Sequence, residues 1–583
     1  MTELRSAYLI EAAWEVCNKV GGIHTVITSK LSHATSTFGD RYLLVGPWLG
    51  EQQRAVFREE TAPSDMAGAL KALEKRGVTA HYGTWLLPEE PKALLIAWDG
   101  MIGELNSIKA DLWERFKLDT LGTNFYDVDQ PLLWSTAVGA FAQSYAASAP
   151  NQVILHAHEW MTGAAVLTAT HENLATVFTT HATVLGRALS SQDIFIYDKL
   201  GVFKPEDEAH RLNVLAKHQI ERLSAQNATV FTTVSDITAT EAAAFLGRQA
   251  EVVTENGIDS THIATYDELA ISRTKMRHVL DDFIAAYFFP SYRFDITKTR
   301  YQFTMGRNEV HNKGDDLYIE SLRALDEKMR AEKSDQTVVA FILVPADALR
   351  LRPEVALQMT VARQMDEVLH QYSATLPRTL YTNYLEHSTK PLELPAELIE
   401  HLEELRSRLP HINQPAVSPY DMRTGEDTML RLARENGLVN SAENRVKIVY
   451  LPIYIDGFDG IFNLPLYTII SGCDLGVFPS LYEPWGYTPM ESMMMGVPAI
   501  TSTVAGFGQA ISRDKLENAG VSVLNRSKNN HDTELAALTK LIDADRSTSS
   551  QQMSVRRFNA YQTALHFGWD RLYARYIEVY SQL

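Results

Sequence analysis

The chain has 583 residues, too many for one ordinary core, and its 45% apolar and 22% charged residues are those of a water-soluble protein with two large domains. A formal net charge of −18 argues against a nucleic-acid or anionic-membrane partner, because either needs a basic face, and no apolar run is long enough to span a bilayer. Cys17 and Cys473 are the only cysteines, and the N-terminus MTELRSAYLIEAAWEV lacks the regions of a secretory signal, so a reducing, cytoplasmic location without disulfides is expected.

Short apolar runs alternate with longer helical patterns. The short runs are 7–12, 41–46, 93–98, 152–158, 175–180 and 228–235, and several of them are apolar on consecutive residues, as strands covered on both faces are. The alternation predicts a parallel, doubly wound sheet. NKVGGIHTVITSK (18–30) follows the first of these strands and opens a helix. Gly21 and Gly22 would let the backbone approach a ligand phosphate, with Lys19 as an added cation, although by itself the stretch reads first as a plain turn. HAHEWMTG (156–163) sets His156 and His158 on one face of a strand end. Zinc with Glu159 as base is one reading, but helical i,i+4 spacing and a third ligand are both missing, so no metal is expected and the strand-end His is read as pointing into a cleft. FTTHATVLGR (178–187) offers His181, Thr183 and Arg187 to the same edge, with Arg187 either meeting an anion or sugar hydroxyls or lying on plain surface.

The strand pattern then restarts at 301–306, 337–345, 446–452, 474–480 and 497–502. The fold class expected is therefore α/β, with two Rossmann-like halves facing across a cleft and a boundary within 265–300. Residues 353–425 interrupt the second half as a helical hairpin. Pro353 suits a helix start, and Leu357, Val361, Met365, Val368 and Leu369, then Leu398, Leu402 and Leu405, follow helical spacing. This insertion is either a local cap or a subunit contact. MGRNEVHNKGDD (305–316) places Arg307, Lys313 and Gly314 between a strand and a helix, a suitable diphosphate clamp in an acidic chain. SLYEPWGYTPMESMMMGVP (480–498) carries Glu483 after a strand and Glu491 near the next helix start, where a carboxylate either favours the helix dipole or holds sugar hydroxyls.

These stretches, with VFTTVSDIT, VTENGID and EAAWEVCNKVGGIHTVI, resemble in order and content the glycogen synthases of animals and fungi, glycosyltransferase family 3, across nearly the whole chain. The resemblance implies the GT-B fold: an N-terminal domain over 1–270, a nucleotide-sugar domain over 294–561, and a C-terminal helix (562–583) crossing back onto the first. It implies retaining transfer of glucose from UDP-glucose to the 4-hydroxyl of a glycogen or α-1,4-glucan end, without cofactor or metal. Glu483, His158, Arg307 and Lys313 match catalytic positions; Lys19, Gly21, Gly22, Arg187, Asn256, Trp485, Gly486, Tyr487, Thr488 and Glu491 match donor-binding positions. It further implies that the insertion mediates a homo-oligomer. The family's glucose 6-phosphate site uses a dense arginine run, of which 551–570 retains Arg556 and Arg557, read as exposed helix surface. AAYFFPSY (285–292) departs from the family on the other side of that pocket, and both ends of the chain lie close to the core, where relatives carry phosphorylated extensions. An enzyme without either control is the expectation. An ADP-glucose-dependent glucan synthase, a sucrose synthase-like enzyme, a non-catalytic glucan scaffold and a metal-dependent hydrolase are the competing readings.

Overall fold

The computed structural model describes residues 6–192, 194–259, 264–385, 394–423, 425–517, 519–527 and 530–583. The first sheet contains β1 (Tyr8–Ala12), β2 (Tyr42–Pro47), β3 (Phe57–Glu59), β4 (Thr79–Trp85), β5 (Lys92–Ala97), β6 (Val153–His158), β7 (Leu174–Thr180), β8 (Val230–Thr233) and β9 (Val252–Val253). Their order is β3-β4-β5-β2-β1-β6-β7-β8-β9. All neighbours are parallel except where β4 pairs with β3 and β5. β2 and β6 are buried at every position, the pattern of strands with helices on both faces.

The second sheet contains β10 (Thr299–Met305), β11 (Thr337–Leu343), β14 (Val446–Tyr450), β15 (Leu475–Val477), β16 (Ala499–Ser502) and β17 (Val521–Leu524), with β12 (Ala348–Leu351) and β13 (Tyr420–Met422) forming a separate antiparallel pair. Its order is β14-β11-β10-β15-β16-β17, and every pairing is parallel. In both sheets β1 and β10 lie centrally and each reverses the strand order, which places a switch point, and hence a ligand crevice, at its C-terminal end.

Helix Tyr266–Phe288 starts on a capping box in which Thr265 and Glu268 exchange hydrogen bonds. It belongs to the second half: Phe283 packs on Phe341 of β11, the Tyr301 hydroxyl of β10 donates to Asp281, and Arg277 donates to Asp474. The helix that opens at the start of the expected 265–300 boundary is thus packed on the second half. Near the C-terminus, helix Ser550–His566 stays on the second half, where Thr563 donates to the Ala519 carbonyl. The return comes with helix Trp569–Tyr580. Trp569 donates to Ser29 and the Tyr580 hydroxyl meets His156, both in the first half. A Cβ on Gly257 would lie 2.7 Å from the Trp569 ring, so this seat requires glycine.

Among the described residues, the insertion over 353–425 holds three helices, Pro353–Gln371, Thr375–Leu385 and Ala396–Ser407, rather than a hairpin of two. Residues 386–393 and 424 of the predicted span lie outside the described residues. Leu398 and Leu405 are buried within the chain, so they hold the insertion together and do not offer an outer surface.

Candidate active site

Strand ends from both halves meet at the crevice. β6 ends on His158, His181 follows β7, Ser235 follows β8 and Asn256 follows β9. From the second half, Arg307 and Lys313 follow β10, and Glu483 follows β15. Lys313 and Glu483 form an ion pair whose side chains are only 15% and 16% exposed. The backbone around Glu483 is tied down: Leu481 and Tyr482 N–H groups donate to the Asn312 carbonyl, Gly506 N–H to the Glu483 carbonyl, and Phe507 N–H to the Trp485 carbonyl. Gly486, at φ +108°, turns the chain into helix Tyr487–Met494, a conformation that side chains oppose. Arg307 pairs with Glu309 at 3.0 Å and is 55% exposed, able to swing towards an anion. Arg187 is exposed on the facing side, where its guanidinium feels Glu159 most strongly, then Tyr482, Glu309 and Glu483.

Glu491 accepts from the Tyr467 hydroxyl at 2.7 Å. Burial raises its carboxyl above the usual range, opposed by that bond and by the charges of Lys19 and Lys313, one from each half. Asn256 is buried, and its Oδ1 has no hydrogen-bond partner among the described residues.

Behind this surface runs a buried polar chain. Glu11 Oε1 accepts from His158 Nε2 at 2.7 Å, and His158 Nδ1 meets His181 Nε2 at 2.9 Å. Lys30 pairs with the same Glu11 oxygen, and the Tyr42 hydroxyl donates to the other at 2.5 Å. Burial opposes the charge on Glu11, but Lys30 and His158 hold its carboxyl well below the usual range. Burial lowers His158, with Glu11 opposing it; burial, first of all, also lowers His181 well below the usual imidazole range, so both rings favour the neutral form. An ionised Glu11 therefore fixes His158 as the Nε2–H tautomer, which accepts from His181 Nε2–H and leaves His181 Nδ1 as an acceptor.

A profile described as glycogen synthase matches residues 11–582. The glycogen [starch] synthase of Neurospora crassa is 32% identical over 591 residues, covering 99% of this chain and 83% of its own. The liver glycogen [starch] synthase of Homo sapiens is 31% identical over 585 residues, covering 98% and 82%. The chain belongs to the glycogen synthase family. It is a glycosyltransferase, and its fold is GT-B. The catalytic domain of Starch Synthase IV from Arabidopsis thaliana, in a structure with ADP and acarbose, shares that fold at TM-score 0.51 and 14% identity, with 99% of each chain covered.

Several roles implied for the synthase family positions change once the side chains are placed. His158 is enclosed, with both ring nitrogens engaged inside the protein, so it does not face the crevice; His181 stands in front of it. His156 is likewise enclosed by Tyr580 and Thr179. Glu11, His156 and His158 are close enough to hold a cation, but the Lys30 ammonium already sits on Glu11 and the ring nitrogens are bonded, so these residues do not fit a metal. Gly21 and Gly22 do not present a vacant anion site: Glu15 accepts from Gly21 N–H at 2.7 Å and His24 N–H at 2.9 Å, placing an internal carboxylate at the start of helix Gly22–Ser29. Trp485 is core, not a ligand platform; it donates to Met490 Sδ at 3.1 Å and packs on Phe507 and Phe567. Tyr487 and Thr488 are partly buried in the first turn of their helix.

Of the three buried carboxylates under the turn that carries His181 and Arg187, motif reading picked out Glu159, as a possible base, and missed Glu221 and Glu241. Glu159 accepts from the backbone of His181 and Ala182, Glu221 from Val184 N–H, and Glu241 from the Thr183 hydroxyl. Burial raises Glu159 and Glu241 to about 7. Only Glu159 belongs to a recognisable stretch; the other two sit unremarked in helical sequence.

Proposed function

We propose that this chain is a retaining glucosyltransferase that moves glucose from UDP-glucose to the non-reducing 4-hydroxyl of an α-1,4-glucan. The observation that carries the reading is the Lys313–Glu483 ion pair at the end of the second sheet, with Arg307 in the segment that leads to Lys313 and Arg187 opposite. In this scheme Arg307 and Lys313 hold the diphosphate and stabilise the charge that grows as its bond to glucose C1 breaks. Glu483 holds the donor sugar and supports positive charge at C1. The acceptor hydroxyl attacks from the face that UDP leaves and gives its proton to the departing phosphate. His181 Nδ1 and Asn256 Oδ1 are acceptors for sugar hydroxyls. Glu491 and Tyr467 face the nucleotide. Incubating purified protein with glycogen and either UDP-glucose or ADP-glucose tests the donor: incorporation favouring UDP-glucose is expected, and a preference for ADP-glucose would replace the uridine assignment.

Activity without glucose 6-phosphate is part of this reading. Arg557 is buried rather than on an exposed helix surface, which corrects the expectation from sequence. It donates to the Cys473 carbonyl at 2.6 Å and to Asp474 at 3.1 Å. Arg277 also donates to Asp474, at 2.8 Å, and Arg556 pairs with Asp545 at 2.8 Å. Internal carboxylates thus engage these guanidiniums, and Tyr287 and Phe288, in the stretch that departs from the family, are buried core. Initial rates with millimolar glucose 6-phosphate should stay within about twofold of those without it; strong activation would mean that the arginines exchange Asp474 for a phosphate.

A cytoplasmic homo-oligomer is the expected state, with the insertion as the contact. Its outward apolar side chains include Leu380, Tyr381, Tyr384 and Leu385. Joint replacement of Tyr381 and Tyr384 by Asp should produce a smaller species in sedimentation. Leu398→Asn should instead lower the unfolding temperature, with a loss of about 2–5 kcal/mol for a buried leucine. A size change from Leu398→Asn alone would reverse that assignment.

A further inference from the structure

Tyr482 belongs to the second half by sequence, yet its side chain is packed in the first. It is 5% exposed and lies in a cluster with Phe178, Leu185, Leu189 and Phe245. Its ring stacks on Tyr197 at 6.4 Å and 14°. Its hydroxyl donates to Glu241 Oε1 at 2.9 Å. Glu241 lies on helix Asp236–Leu246 and accepts the Thr183 hydroxyl on the same oxygen. Thr183 in turn caps helix Val184–Ser190, which carries Arg187.

The other neighbour of Glu483 is anchored to the first half as well. The Pro484 carbonyl accepts from Ser235 Oγ at 2.5 Å and from Thr238 Oγ1 at 3.4 Å. A Cβ on Gly506 would lie 2.2 Å from that carbonyl and 2.6 Å from Ser235 Cβ, so the two halves meet here at backbone distance. Glu483 is thus flanked by two residues fixed to the opposite half, while its own carbonyl is held by Gly506 N–H.

We propose that Glu241 and Tyr482 form a cross-cleft latch that positions Glu483 for reaction. Seating Tyr482 in the first half completes the site; withdrawing it exposes an aromatic ring and removes a hydrogen bond from a buried carboxylate. The same Glu241 oxygen holds the turn bearing Arg187, so one acceptor aligns side chains from both walls of the cleft. Glu241 and Tyr482 act through Glu483 and Arg187 and touch no substrate. The proposal rests on reading Glu483 as the donor-side carboxylate.

Tyr482→Phe keeps the ring and its stacking and removes the hydroxyl. With UDP-glucose and glycogen, kcat should fall about tenfold, the effect of losing one buried hydrogen bond. UDP affinity by calorimetry should stay within about twofold, because the diphosphate clamp lies wholly in the second half, and X-ray scattering with UDP should show a larger radius than wild type. Glu241→Leu should reproduce the loss, and the double variant should be no worse than the poorer single one. Should Tyr482→Phe fail to fold, Glu241→Leu carries the same comparison. Wild-type turnover in Tyr482→Phe, a parallel loss of UDP binding, or multiplying effects of the two substitutions would each overturn the latch. A wild-type rate in Glu483→Gln would instead overturn the underlying reading of the site.

Discussion

Glu483→Gln is expected to fold, to bind UDP, and to lose turnover by about a hundredfold or more, the scale set by removing one aimed electrostatic group. The amide keeps the shape of the side chain, and the backbone hydrogen bonds that hold this turn involve the Glu483 carbonyl, not its carboxylate. The substitution removes the negative partner of Lys313 and the charge beside C1 of the donor. Initial rates together with UDP calorimetry separate the two effects: binding persists while turnover fails. Near-normal rates would remove Glu483 from the chemistry.

Arg307→Ala and Lys313→Ala should each lower kcat/KM by about 10²–10³-fold. Arg307 lies in the loop after β10 and Lys313 ends the short helix Val310–Lys313 that follows; Lys313 is mostly buried beside Glu483, so its charge acts in a medium that screens it less than water does. Lys313→Ala also leaves Glu483 without its ion-pair partner, and this variant should be the more severe. Assays with EDTA should match those without, because the two cations carry the phosphate charge. A strict requirement for a divalent ion would contradict the clamp.

The strands most legible in sequence were those covered on both faces. β6 and β11 are buried at every residue; β11 runs apolar from Val338 to Leu343, and β6 opens on the apolar run Val153–Leu155. β4 begins exposed and pairs antiparallel near the sheet edge, β9 has two residues, and β17 is buried only at its ends, so none carries such a run. Arg307, Lys313 and Glu483 were legible because each follows a strand within a dense local motif. Partners were not. The Glu11–His158 contact spans 147 positions, and the Arg557–Asp474 contact spans 83. Local pattern tells which side chains stand at a strand end but not which carboxylate arrives from another element. That is why His158 read as a cleft residue and Arg557 as surface. Glu15 is closer, yet its capture of the Gly21 and His24 amides depends on the loop folding back on itself.

The most direct test follows the anomeric proton of transferred glucose by NMR while purified protein acts on UDP-glucose and glycogen, with Glu483→Gln as control. New α-1,4 linkages should grow in step with released UDP in the wild type and be lost in the control. Free glucose, β-linked product, or equal transfer by the control would contradict retaining transfer at Glu483.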